Sequence, residues 1–306
     1  MEEMKRMQVD VTCLYEINLD TTNHGVKSKM HKNSRQIFDH SRLTMSSSTI
    51  PSANDFKPGG TLMLAQGHVT GRITSSGEDD MGRWTYQRFA CKNHRYLTVI
   101  SAYQVCEQPI VDKGKVRTLT GSAQQTSILK QQGREISPRK AFCHDLDKFL
   151  KSCKKDKSGI LLVGDFNEAL GCTASGITQV LADNDLTDIM LHEIGEDNFE
   201  TYIEGKQRID FCAGTDWVSL SVINACYEPF CFRTKGDHRN MIIDFDTVSL
   251  FGNPTYNLEG HAQRQFTSKS KGAVKIYLEQ KYAYLEEHNF NQRLQELKRN
   301  WNAKVA

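Results

Sequence analysis

The sequence predicts an α/β protein in which two sheets pack face to face and helices cover them from outside. Three observations lead there. Short apolar runs separated by turn residues crowd the middle of the chain, as strands do. Helix-spaced apolar patterns flank them. The aliphatic run Ile160-Leu161-Leu162-Val163 stops at Gly164, the behaviour of a buried strand entering a sharp turn. Strands must bury an apolar face, so sheet on sheet with helices outside is the economical layering.

The elements follow in order. A polar start, Met1 to Gln8, leads into the strand pattern Val11–Tyr15, which closes on Glu16. Thr21 to Phe38 is a polar helix with Val26, Met30 and Ile37 on one side, and Ser46 to Ser52 is a loop by composition. Strands are expected at Thr61–Ala65, Val69–Ile73, Trp84–Ala90 and Tyr96–Tyr103, an antiparallel meander turning around Ser75 to Asp80. Gln104 to Ser137 is a long polar excursion with a helix near Ser122–Gln132. Phe142, Leu146, Phe149, Leu150 and Cys153 recur at helical spacing and make Arg139–Cys153 an amphipathic helix. Ser175–Asp183 is a further short helix, and Trp217 to Phe232 contains strands. Val274, Tyr277, Leu278, Tyr282 and Leu285 form one helical stripe; Phe290, Leu294, Leu297 and Trp301 form another. The expected division is a main domain over 1–248 and a helical extension over 249–306.

Composition excludes some classes. A chain of 306 residues can bury a substantial core, and a net charge of +2 gives no global basic field. Charge is uneven, with nine Lys and Arg against five Asp and Glu from Phe251 onward. Nine cysteines show no C-x-x-C pair and fall mostly in apolar runs (Cys13, Cys143, Cys153, Cys212). Free thiols of that kind point to a reducing, intracellular compartment, cytoplasm or nucleus. No apolar run approaches the roughly 20 residues of a membrane span, so no membrane partner is expected.

The chemistry-bearing residues stand at strand ends. Gly164-Asp165-Phe166-Asn167-Glu168 presents a carboxylate and a carboxamide two residues apart, on one face, a pairing suited to a hard cation, a water and a phosphate ester. An ordinary turn would use Gly, Asp and Asn as readily. Gln207-Arg208-Ile209-Asp210-Phe211 places a carboxylate inside an apolar strand pattern, where a bare charge is costly unless something binds it. Lys235-Gly236-Asp237-His238-Arg239 supplies a histidine able to do so, its tautomer fixed by the Asp and its other nitrogen left free for proton transfer. Leu97 to Tyr103 closes on a tyrosine. Singly, Glu16 reads as a surface strand end, Tyr103 as a core-rim aromatic and His238 as a turn residue. The ordered set is what stands out.

That order resembles the endonuclease/exonuclease/phosphatase superfamily, which includes deoxyribonuclease-like enzymes, abasic-site endonucleases and retroelement endonucleases. The resemblance runs from about Val9 to Asp246. It implies a four-layer α-β-β-α sandwich of two packed mixed sheets. It also implies metal binding by Glu16 with Asp237, a phosphate-side Tyr103, the Asp165 and Asn167 pair, and Asp210 orienting His238. Pro58-Gly59-Gly60-Thr61, Gly82-Arg83-Trp84-Thr85 and Ser137-Pro138-Arg139 look most like the retroelement-type members. Such members are commonly followed by a reverse-transcriptase region, so a longer polyprotein is an expected context. The family normally opens with an asparagine-bearing strand some two dozen residues before the glutamate. Here no asparagine precedes Asn18, and the chain is expected to begin after that strand, with a sheet edge and its apolar neighbours exposed.

The function expected is a Mg²⁺-dependent phosphodiesterase, with Mn²⁺ as a substitute, acting on DNA as an endonuclease of retroelement type. Two rivals are a phosphatase of the same superfamily acting on an inositol phosphate or lipid headgroup, and an inactive remnant serving as a binding module.

Overall fold

A computed structural model describes residues 1–52, 55–106, 119–155, 158–196, 198–252 and 271–305. Part of the expected 104–137 excursion and of the 249–306 extension lies outside these residues. The chain divides into two units, Met1–Leu258 and Glu259–Ala306.

Eleven strands are described: β1 (Val11–Tyr15), β2 (Ser41–Ser46), β3 (Thr61–Gln66), β4 (Ile73–Glu78), β5 (Trp84–Ala90), β6 (Tyr96–Tyr103), β7 (Ser158–Asp165), β8 (Thr187–Asp188), β9 (Asp210–Gly214), β10 (Val222–Tyr227) and β11 (Met241–Phe245). One sheet has six strands in the order β4-β5-β6-β7-β9-β8. It is mixed because β6 and β7 run parallel while its other pairs are antiparallel. The facing layer comprises the antiparallel sheet β1-β3-β2 and the antiparallel pair β10-β11.

Alternation along single strands builds the layers. In β7, Ile160 and Leu162 face a core closed by Phe142, Leu146 and Leu150 of the helix Pro138–Lys155 and by Ile177, Val180 and Leu181 of the helix Ile177–Asp183. Leu161 and Val163, on the opposite face, meet Met63 and Ala65 of β3 in the core between the sheets. In β3, Leu62 and Leu64 turn outward with Leu43 and Met45 against Met30 and Ile37 of the helix His24–Ile37. These are the four layers of an α-β-β-α sandwich. Leu250 is buried in the inter-sheet core.

Two local expectations are corrected, and two details are added. Val69–Ile73 is not a strand: residues Gly67–Arg72 form a 3₁₀ helix, and Val69 and Ile73, four residues apart, both reach the inter-sheet core. The strand lies instead at β4, across serines that read as a turn. It is an edge strand whose backbone pairs with β5 while its side chains stay largely outside. Ser41–Ser46 forms β2 by burying Leu43 and Met45 between polar neighbours. Trp217 sits in a short helix, Asp216–Ser219, and the strand begins only at Val222.

None of the nine cysteines forms a disulfide; Cys143 and Cys212 are buried, whereas Cys13 and Cys153 are half-buried. Among the described residues no helix is long and apolar enough to cross a membrane. In the C-terminal unit, helices Lys271–Glu287 and Phe290–Val305 touch each other and leave Tyr282 and Leu297 exposed.

Candidate active site

Three of the sequence-selected side chains stand in one row, placed by strand register. Tyr103, the last residue of β6, is paired with Asp165, the last of β7, and Asp165 is paired with Asp210, the first of β9. Two carboxylates thus meet side by side at the end of the central strands, Asp165 1% and Asp210 0% exposed. Burial, and then Asp210, push the Asp165 carboxyl well above the usual carboxylate range.

His238 answers this charge. Its Nδ1 faces Asp210 Oδ2 at 2.8 Å. Burial lowers the imidazole pKa, but the hydrogen bond and charge of Asp210 outweigh it and raise it to about 9. Ligand atoms of Asp165, Asp210 and His238 lie within 4.8 Å of one another. The loop bearing His238 is fixed by backbone bonds, Ile203 N–H to Asp237 C=O and Arg239 N–H to Thr201 C=O, both 2.8 Å.

Asn167 sits beyond the strand end in the left-handed region, φ +47°. Its backbone N–H donates to Asp165 Oδ1 at 2.9 Å, and Nδ2 donates to the Gln104 carbonyl at 2.8 Å. Cys106 donates its thiol hydrogen to Asn167 Oδ1 at 2.7 Å.

Glu16 enters from the other layer. It follows β1 with φ +52°, in a turn whose Asn18 bonds Gly59 through both backbone and side chain. Gly59 (φ +90°) lies against the Tyr103 ring, and Gly60 (φ +86°) leaves no room for a Cβ beside the Ser46 carbonyl. The Tyr103 hydroxyl and the Glu16 carboxylate are electrostatic neighbours, Glu16 helping to raise the tyrosine pKa. Burial raises the Glu16 pKa, His238 lowers it and Asp237 raises it, so all three groups share one electrostatic neighbourhood.

The seven side chains Glu16, Tyr103, Asp165, Asn167, Asp210, Asp237 and His238 therefore converge from two layers. Among the described residues at this point, oxygen donors dominate, with a single imidazole. That donor set fits a hard divalent cation, and it fits poorly the sulfur- and nitrogen-rich shells that softer metals favour.

No protein-family model matches the sequence, and a comparison with curated proteins gives no match. Among solved structures, the chain is similar to an AP endonuclease from Leishmania major, at 11% identity and TM-score 0.52, over 78% of this chain and 79% of that one. It is also similar to the catalytic domain of Xenopus laevis APE2, at 13% identity and TM-score 0.52, over 86% and 93% of the two chains. At these identities the likeness is one of fold, the two-sheet α-β-β-α sandwich. A third structure of similar fold is a Neisseria 3′ phosphatase, NExo, bound to a product DNA hairpin, at 13% identity and TM-score 0.51, over 80% and 94% of the two chains.

Several residues that shape this site carry no signal in the sequence. Thr201 Oγ1 accepts from the backbone N–H of Ile209 at 3.0 Å and of Asp210 at 3.1 Å, fixing the start of β9. The Tyr202 ring lies 5.0 Å from the His238 ring, and the Tyr15 ring 6.4 Å away edge-on. A lone Thr or Tyr in a polar loop carries no periodic signal. Tyr15 was visible as the residue before Glu16, but alternation assigns neighbours to opposite faces.

Proposed function

We propose that this chain is a metal-dependent phosphodiesterase that cleaves DNA, an endonuclease of retroelement type. The observation that supports it most is the register row Tyr103, Asp165, Asp210, closed by the 2.8 Å contact between His238 and Asp210. A phosphodiester is anionic and repels its nucleophile, so the site must neutralise charge and position a water.

Glu16, with Asp237, would hold Mg²⁺, with Mn²⁺ as a substitute; such a cation supplies charge neutralisation and polarises a phosphoryl oxygen. Asp165 and Asn167 orient the attacking water and a non-bridging oxygen. Tyr103, whose hydroxyl is kept protonated far above its usual range by burial and by Glu16, donates to the phosphate as negative charge grows there. Asp210 holds the His238 ring through Nδ1, leaving the other nitrogen to serve as general base or as a charged clamp on the phosphate. The similarity of the fold to an AP endonuclease and to a DNA-bound 3′ phosphatase supports DNA as the substrate.

Nicking of supercoiled plasmid tests the reading. The wild type should nick with Mg²⁺ and stop when the metal is chelated. Asp165→Ala and His238→Ala should each lower the rate by about 100-fold or more. Plasmid nicking that survives both substitutions would sink the assignment. Parallel assays on abasic duplex and on a phosphoinositide separate it from a phosphatase of the same fold.

A further inference from the structure

A largely buried ion pair braces the turn after β7, and the chemistry above leaves it unused. Arg139 stands in the first turn of the helix Pro138–Lys155, its side chain 16% exposed. Its Nη2 donates to Glu168 Oε2 at 2.9 Å, and its Nη1 donates to the Val105 carbonyl at 3.1 Å. With its amide oxygen toward the guanidinium, Gln104 accepts from Nε at 3.1 Å and from Nη2 at 3.0 Å.

These partners are the immediate neighbours of one side chain. Glu168 follows Asn167 in the chain. Val105 lies between Gln104, whose carbonyl accepts from Asn167 Nδ2, and Cys106, whose thiol donates to Asn167 Oδ1. One guanidinium thus ties the 104–106 segment, which meets both ends of the Asn167 carboxamide, to the side chain of the residue that follows Asn167. A carboxamide has a donor end and an acceptor end of nearly equal shape, so only its surroundings decide which way it points.

We propose that Arg139 is a positioning residue that, by tying Val105 and Gln104 to Glu168, fixes the orientation of the Asn167 carboxamide toward the scissile phosphodiester. The proposal rests on the phosphodiesterase reading. Its specific content is geometric: the planar fork serves a carboxylate and two carbonyl oxygens at once, which a lysine ammonium on a flexible stem does not reproduce.

Removing Arg139 alone strands the Glu168 carboxylate in a buried place and can prevent folding. The experiment therefore uses the double variant Arg139→Met/Glu168→Gln beside Arg139→Lys. Each is made with and without Asn167→Ala, and each is followed by melting temperature and by steady-state plasmid nicking. Expected is a folded double variant with kcat lowered about 10–100-fold and KM within about 3-fold of wild type. Asn167→Ala, damaging in the wild type, should add little in the double-variant background, because the two changes disturb one arrangement. Arg139→Lys should fold and still lose rate.

Wild-type kcat in the double variant, full activity of Arg139→Lys, or losses that multiply fully with Asn167→Ala would each overturn the positioning role. A wild-type protein without nicking activity would bring down the phosphodiesterase reading and this one together. A nicking wild type with a silent ion pair brings down only the latter.

Discussion

The two β layers meet the same solvent and carry halves of one site, yet they are built to different tolerances. The centre of the six-stranded sheet is sealed: β6 has seven buried residues of eight, and β7 likewise. Its contribution to the site, Tyr103, Asp165 and Asp210, is set by backbone register, with Thr201 holding the start of β9. The facing layer is made of three- and two-stranded pieces, and every residue of β1 is only half-buried. Among the described residues β1 and β11 each have one strand partner, and they deliver Glu16 and the Asp237-His238 pair from turns. One half of the site is therefore fixed by sheet geometry, the other by loop contacts such as Asn18 with Gly59 and Ile203 with Asp237.

Adjacent residues of one strand offer the largest test of that contrast. Leu162 is fully buried against the outer helices, while Val163 faces the second layer and is partly exposed. Leu162→Ala should destabilise by about 2–5 kcal/mol in urea unfolding. Val163→Ala removes two partly hydrated methyl groups and should cost about 1 kcal/mol. Equal losses would mean that the second layer covers β7 as tightly as the helices do.

Hydrogen exchange sharpens the same contrast at the backbone. Amides of β7 and β9, paired on both sides, should open only with global unfolding. Amides of β1 and β11 should exchange at least about 10-fold faster, because an edge strand is released by smaller motions. Uniform protection of all four strands would show that the open edges are no weaker than the centre.

This contrast also explains what the sequence disclosed. The sealed strands were legible, since Ile160 to Val163 and Leu97 to Tyr103 are apolar on both faces and their polar last residues stand out. Asp210 betrayed itself as a charge in an apolar run, and its histidine partner followed from the cost of burying it. The edge strands were not legible. β4 is mostly serine, threonine and glycine, and it becomes a strand because β5 offers it hydrogen bonds, with Gly77 lying under the Tyr86 ring. The register that aligns Tyr103, Asp165 and Asp210 is a long-range pairing, which no local pattern encodes. Arg139 and Glu168 were both quoted within motifs, yet nothing in their spacing of 29 residues announces an ion pair.

Acid should loosen even the sealed layer, through one network on its outer side. Arg83 binds Asp79 through Nε at 2.9 Å and Nη2 at 2.8 Å, and reaches Asp145 of the helix Pro138–Lys155 at 2.8 Å. Arg134 closes on both Asp145 oxygens, each at 2.8 Å. Burial works to raise the Asp145 pKa, but Arg134, His144 and Arg83 outweigh it and hold the carboxyl far below the usual range. A group depressed in the folded state stabilises it fully above the unfolded value of about 3.9, and loses that contribution as pH falls toward the folded value. Asp145 is partly solvated, so the amount is about 1 kcal/mol. Wild-type stability measured by urea unfolding should exceed that of Asp145→Asn at pH 6, with the gap closing between pH 4 and pH 2. Lys154 of the same helix and the exposed Asp185, 2.8 Å apart, provide the internal control, since Asp185→Asn should change stability little at either pH. A gap for Asp145→Asn that stays constant with pH would mean that the network acts by shape and not by charge.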